Sequence, residues 1–352
     1  MSWLNALVRP EILALKPYQP AAWNPGFTRL HANEWPRRLL HDETEAGLNQ
    51  YPEPQPQALV ARLAHLYRVD ESRIVIGRGS DELIDLLVRA FCRANRDALL
   101  VCPPTFGMYS VAAHIQGAAI VSIPLIAAEG FALDWQRVLQ SCATNPVKLV
   151  FLCSPNNPTG NLLHESHVLA IVEELRGRAL VVVDEAYIEF SSRPSLAAKL
   201  VEYPNLAILR TLSKAHGLAG ARVGALIADP QVIGVIRKLI APYAIPQLTL
   251  EAVLSLLSPL HLRDHSTRMR ELQQERARMM AALRGLSCVR QVYPSEANFL
   301  LARFKDASWA LASATKARLL VRDARSYAAL EDGIRITVGA QEQNDRLLEA
   351  WR

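Results

Sequence analysis

The sequence predicts an α/β protein: a large unit with a mostly parallel sheet flanked by helices, followed by a smaller α+β unit. Three observations predict it. Short apolar runs with few charges recur through the middle of the chain, namely "RIVIG", "DALLVCP", "AAIVSIPL", "KLVFLCSP", "ALVVVDEA", "LAILRTLS" and "RVGALIA", and strands buried on both faces read this way. Helical patterns separate them, as at Asp81 to Ala94 and His164 to Arg176, which suits crossovers between parallel strands. From about Pro246 the pattern changes to a long charged helix, "HSTRMRELQQERARMMAALRGL", then "VRQVYP", "NFLLARF", a helix and "GIRITVG".

At 352 residues the chain is long enough for about two domains. The first ~35 residues hold four prolines and little periodicity, and read as an arm. Half of the residues are hydrophobic and 21% charged, an ordinary globular balance. The net charge of +5 is not gathered in any basic run, so nothing prompts nucleic-acid binding. Five scattered cysteines without a C-x-x-C spacing suggest neither a disulfide framework nor a zinc site. They fit a reducing cytoplasm. The N-terminus lacks the charge order of a secretory signal. The longest stretch without Asp, Glu, Lys or Arg, Ala98 to Ala128, is broken by Pro103, Pro104, Gly107, Gly117 and Pro124, against a membrane span.

Ligands of open parallel sheets sit beyond the carboxyl ends of the strands, and chemistry-bearing residues follow the apolar runs here. In "GRGSDELIDLLVRAF", Gly79, Ser80 and Asp81 open an amphipathic helix, whose free N–H groups and positive pole can receive a phosphate. Ser80 or Asp81 could equally be a helix cap. In "SPNNPTG" the prolines stiffen a turn that presents Asn156 and Asn157, although a plain turn uses the same residues. "ALVVVDEAYIEF" ends a strand in Asp184 and Glu185; a carboxylate there could hold a proton on a ring nitrogen, or form a cap or salt bridge. In "TLSKAHGLAGARVG", Lys214 is crowded by small residues, and a desolvated lysine attacks aldehydes. Ser213 and Arg222 can reach a phosphate; the alternative is a surface Ser-Lys pair. Together these residues ask for an aldehyde, a ring nitrogen, a phenolic oxygen and a phosphate. Pyridoxal 5′-phosphate carries all four.

At this point the sequence resembles the fold-type-I aminotransferases that use pyridoxal phosphate, and within them the histidinol-phosphate aminotransferase family. The likeness runs nearly end to end, through "LKPYQP", "LHANEWP", "LNQYPEPQP", "GRGSDELIDLLVRAF", "CPPTFGMYS", "CSPNNPTG", "VVVDEAYIEF", "LRTLSKAHGLAGARVG", "EANFLLARF", "VRDARSY" and "GIRITVG". It implies an arm over 1–35 that joins the small domain and a dimer interface, a large cofactor-binding domain over 36–245 and a small domain over 246–352. It also implies a homodimer with shared active sites. Lys214 would form the Schiff base and Asp184 partner the pyridine nitrogen. Asn157 and Tyr187 would contact the phenolic oxygen, with Tyr109 against the ring. Phosphate would be held by Ser80, Asp81, Ser213, Arg222 and, from the other subunit, Tyr51.

Arg335 would bind a substrate carboxylate, and Arg322 and Tyr18 would lie near the phosphate of histidinol phosphate. Independently, Arg335 between Ile334 and Ile336 in a strand must point away from both, where a salt bridge is the alternative to a ligand. The implied reaction exchanges an amino group between histidinol phosphate and 2-oxoglutarate, with imidazole-acetol phosphate and glutamate on the other side, in histidine biosynthesis. An aromatic aminotransferase or threonine-phosphate decarboxylase would use the same cofactor residues. A noncatalytic ligand sensor would be expected to carry an added DNA-binding domain or basic stripe. Trp35 and His216 depart from the family pattern near the expected site. His164 and His167 lie three apart on a predicted helix without a third metal ligand.

Overall fold

A computed structural model describes residues 3–24 and 26–352. Among them, seven strands form one sheet in the order β1-β7-β6-β5-β4-β2-β3. They are β1 Ile74–Gly77, β2 Ala98–Val101, β3 Ala119–Ser122, β4 Val147–Cys153, β5 Leu180–Asp184, β6 Leu206–Thr211 and β7 Gly224–Ala228. The pairings from β3 through β6 are parallel, and β7 runs antiparallel to both β1 and β6. The expected mostly parallel sheet is therefore present, with one reversed strand.

The near-continuous apolar runs are explained by burial on both faces. Ile74, Val150, Val181 and Ile208 face a layer with helices α2 Gln57–Tyr67, α5 Trp135–Thr144, α6 Glu165–Glu174 and α8 Gln247–Leu256. Val75, Phe151, Val182 and Leu209 face α1 Pro10–Ala14, α3 Gly79–Phe91, α4 Met108–Gln116 and α7 Pro230–Arg237. Each such side chain contributes about 1.5–3 kcal/mol on burial.

The arm's beginning packs against this large sheet. Leu4, Leu7, Val8 and Ile12 are buried beside α3 and α7, the Arg9 N–H donates to Ala90 O at 3.0 Å, and Lys238 Nζ donates to Leu13 O at 2.8 Å. Leu4 to Ile12 thus join the core of the large sheet.

A second, antiparallel sheet has the order β10-β11-β9-β8, from β8 Val289–Val292, β9 Phe299–Phe304, β10 Arg322–Asp323 and β11 Gly333–Thr337. Helices α9 Pro259–Arg284, α10 Ala307–Lys316 and α11 Gln341–Ala350 bury Met279, Leu283, Ala310, Ala314 and Leu347 against it. Trp351 seals this core against Phe304, its indole N–H donating to Ala310 O at 2.8 Å. The long helix begins six residues before the expected His265: Pro259 takes the first helical position after Ser258, where a missing N–H costs nothing. No helix among the described residues is long and apolar enough to cross a membrane.

Candidate active site

Ladder register brings distant motifs to one edge of the large sheet. Gly224 lies opposite both Gly77 of β1 and Thr211 of β6, so "GRGS", "TLSK" and the loop before β7 converge. Cys153 lies opposite Asp184, and Asp184 opposite Leu209, which sets the turn after β4 and the acidic end of β5 beside them. Only glycine fits at 224: a Cβ there would stand 2.4 Å from Ser80 N and 2.5 Å from Gly79 C. We expect Gly224→Ala to push the start of α3 out of place and destabilise the protein by about 1–3 kcal/mol, read as a lowered urea midpoint at unchanged slope.

The converging segments enclose a cleft of about 460 Å³ lined by Ser80, Asp81, Asn157, Asp184, Tyr187, Ser213, Lys214, Arg222, Arg322 and Arg335. At one end, α3 starts after Arg78 without a side-chain cap, so neither Ser80 nor Asp81 is the capping residue. Gly79, with φ +78°, lies under Arg222, whose Nη2 would be 2.6 Å from a Cβ there. Arg222 donates to Ser213 Oγ at 3.2 Å and to Asp81 Oδ2 at 3.1 Å. A helix start, a hydroxyl and a guanidinium together form a cradle for an anion such as phosphate.

In the middle, burial, assisted by the positive charge of Arg335, lowers the pKa of Lys214 and favours its neutral amine. The amine lies 5.7 Å from the centre of the Tyr187 ring. Burial also raises the phenol pKa of Tyr187, which therefore keeps its proton as a donor. Asp184 is buried at the cleft floor; desolvation pushes its carboxyl up to about 6, against hydrogen bonds from Tyr109 OH at 2.7 Å and the Ala186 N–H at 3.0 Å. A cationic ring nitrogen beside this carboxylate would compensate that desolvation.

At the other end, Arg322 and Arg335 are directly opposite one another on the β10–β11 ladder. Like charges in that relation repel, and Asp323 next to Arg322 is held instead by Arg325 at 2.8 Å. Arg335 Nη1 donates to Asn157 Oδ1 at 2.5 Å, and its Nε is buried without a partner. With Asn157's oxygen so engaged, its amide N–H groups are available as donors to a ligand. The residues fit pyridoxal phosphate: an anion cradle, a low-pKa lysine, neutral donors and a carboxylate occur within one cleft.

Tyr109 and Tyr18 lie outside the cleft, as does Tyr51, which is expected to act from the other subunit. Tyr109, expected against the ring, has no exposed surface, stacks on Phe151 at 4.7 Å and does not line the cleft. Phe106, three residues earlier, lines it. Tyr18 is 72% exposed and Tyr51 is 49% exposed, both outside this chain's cleft. Tyr51 stacks on Tyr243 at 4.5 Å, its N–H donating to Glu34 at 2.7 Å and its carbonyl accepting from Arg29 at 3.0 Å. Trp35 lines a separate surface hollow with Tyr51. The sequence reading missed Met108, Val111, Cys153, Thr211 and Tyr327 as lining residues; Cys153 and Thr211 were detectable as the last residues of apolar strands.

His216 faces away from the cleft. Its Nε2 is 3.7 Å from Glu189 Oε1, and its ring stacks on His265 at 4.6 Å. Arg210 joins this buried cluster, 2.7 Å from Glu189 and 3.7 Å from Glu185, with its guanidinium over the Tyr67 ring.

Residues 29–350 match the family described as aminotransferase class I and II. The chain is 46% identical over 350 residues to a histidinol-phosphate aminotransferase of Stenotrophomonas maltophilia, covering 98% of this chain and 95% of that one. In fold it is similar to the crystal structure of the histidinol-phosphate aminotransferase from Clostridium acetobutylicum, with a TM-score of 0.78 at 21% identity over 86% of this chain and 90% of the other. It is also similar to the histidinol-phosphate aminotransferase from Sinorhizobium meliloti in complex with pyridoxal-5′-phosphate, with a TM-score of 0.75 at 26% identity, covering 86% and 82%.

Proposed function

From the premise that this chain belongs to the class I and II aminotransferases, we propose that it exchanges the amino group of histidinol phosphate with 2-oxoglutarate, in histidine biosynthesis. It is a pyridoxal-phosphate-dependent aminotransferase. One observation carries the substrate reading: Arg322 and Arg335 face the cleft as a cross-strand pair of like charges, a site made for anionic groups.

When bound, pyridoxal phosphate supplies a carbonyl carbon for covalent capture of amines and a ring that accepts electrons from the adjacent carbon. Lys214 would be the residue that holds it, since burial shifts its amine toward the neutral form that a carbonyl carbon requires. With a substrate amine in place, Lys214 Nζ would act as general base at the amine-bearing carbon. Asp184 would hold the proton on the ring nitrogen. Asn157 and Tyr187 would donate to the phenolic oxygen, while the start of α3, Ser213 and Arg222 would fix the phosphate. Arg335 would receive a carboxylate of glutamate or 2-oxoglutarate, and Arg322, which lines the same cleft, the phosphate of histidinol phosphate.

The division into a large unit over 36–245 and a small one over 246–352 belongs to this reading, with the first 35 residues as a docked arm. So does a cytoplasmic homodimer in which Tyr51 reaches the partner's phosphate site. Its support is the surface hollow that Trp35, Leu48 and Tyr51 line together, all three exposed, apolar surface of the kind that marks interfaces.

The test is a substrate panel coupled to glutamate production, with histidinol phosphate, phenylalanine and threonine phosphate as the compounds compared. Histidinol phosphate is expected to lead. In Arg322→Ala, KM for histidinol phosphate should rise roughly 10- to 100-fold through loss of a charge-assisted hydrogen bond, with a smaller change for glutamate. Equal losses for both would refute the assigned role, and release of carbon dioxide from threonine phosphate would identify a decarboxylase.

A further inference from the structure

Tyr109 is absent from the cleft wall, yet it touches the carboxylate on which the proposed chemistry depends. Its hydroxyl donates to Asp184 Oδ2 at 2.7 Å from a ring with no exposed surface. That ring is fixed on two sides, stacked on Phe151 with 10° between planes and edge-on to Phe106 at 5.6 Å. Asp184 Oδ1 accepts the Ala186 N–H at 3.0 Å, so each carboxylate oxygen has one donor. An ionised carboxylate offers about four lone-pair positions, which leaves capacity for a ligand in the cleft that Asp184 lines. Cys153, opposite Asp184 in the ladder, lies against the same hydroxyl.

We propose that Tyr109 is a positioning residue whose hydroxyl orients Asp184 and keeps the shared proton on the cofactor's ring nitrogen instead of on the carboxylate. This rests on the reading of Asp184 given above. A hydrogen bond donated to a carboxylate favours its ionised form, and it does so more strongly in a buried site. Burial and the nearby Asp81 charge act in the opposite direction on Asp184, while Lys214 favours the anion. Without the phenol, the neutral acid gains and the proton moves from ring nitrogen to Asp184. The ring then accepts electrons less well. Phe106 lines the cleft and touches Tyr109, so the cleft's aromatic wall and the carboxylate's orientation share one support.

Tyr109→Phe removes only the oxygen and keeps the stacked ring. In holoenzyme loaded with ¹⁵N-labelled pyridoxal phosphate, we expect the ring-nitrogen shift to move toward the unprotonated value. The kcat should fall roughly 10- to 100-fold, the loss of a hydrogen bond to a charged group, with KM for the amino donor unchanged. Borohydride should still fix the cofactor to Lys214. Phe151→Leu loosens the ring's packing but keeps the hydroxyl; it should lower Tm and leave the nitrogen protonated. A wild-type nitrogen shift in Tyr109→Phe with only Tm reduced would overturn the proposal. So would an equal nitrogen shift in both variants, since packing alone would then explain it. Failure of the wild-type protein to bind pyridoxal phosphate at Lys214 would overturn this proposal and the functional reading together, and is seen before any variant is made.

Discussion

Lys214→Met is expected to fold and to lose turnover by on the order of 10⁴-fold, the upper range for removing a positioned general base. The side chain is of similar length, so the cleft keeps its shape while losing the lysine that lines it, the group proposed to bond to an aldehyde and move a proton at the adjacent carbon. Lys214 sits just beyond β6, in a turn where the Gly217 N–H donates to the Lys214 carbonyl at 3.0 Å, a contact that does not need its amine. Far-UV circular dichroism should be unchanged. Turnover at the wild-type rate, or borohydride labelling of another lysine in the parent protein, would refute the assignment.

Arg210→Met should destabilise the fold by about 3–5 kcal/mol, the penalty for leaving a buried charge without its partner, and lower Tm by on the order of 5–10 °C. Arg210 is the cation between Glu189 and Glu185. Despite burial, the Arg210 charge, with His216, holds Glu189 down from its ordinary 4.5 to about 2. Glu189 therefore contributes stability that is present above pH 4.5 and lost as pH falls toward 2. Glu185 is pushed up to about 7 by burial, so its charge costs stability as pH rises from 4.5 to 7. Without Arg210 both carboxyls titrate upward, and the penalty is present at neutral pH and relieved by acid. The Tm deficit of the variant should shrink from pH 7 to pH 5; a deficit independent of pH would show that lost packing on Tyr67 is the cause instead.

The strands carrying Cys153, Asp184 and Thr211 were legible because burial on both faces leaves an uninterrupted apolar run, and a polar residue at its end must emerge at the sheet edge. Lys214 and Arg222 followed from the same logic. Tyr109 and Phe106 were not separable, because α4 begins at Met108 between them; the ring before a helix start and the ring within it take directions set by the turn, not by periodicity. β10 is two residues long and has no period to read, although it aligns Arg322 with Arg335. Arg210 was visible as a charge inside the apolar run "LAILRT", but its partners come from Glu185 and Glu189 beyond another strand, a meeting fixed by tertiary packing alone.

The reversed strand β7 has a consequence for how the protein becomes competent. Its first residue lies opposite the ends of β1 and β6 and against the start of α3, so the two halves of the anion cradle meet only where that strand lies between β1 and β6. A chain that has collapsed without inserting it offers vitamin B6 no foothold. Loading with cofactor thus acts as a quality check on assembly: capture selects molecules in correct register, and mass action then holds them there.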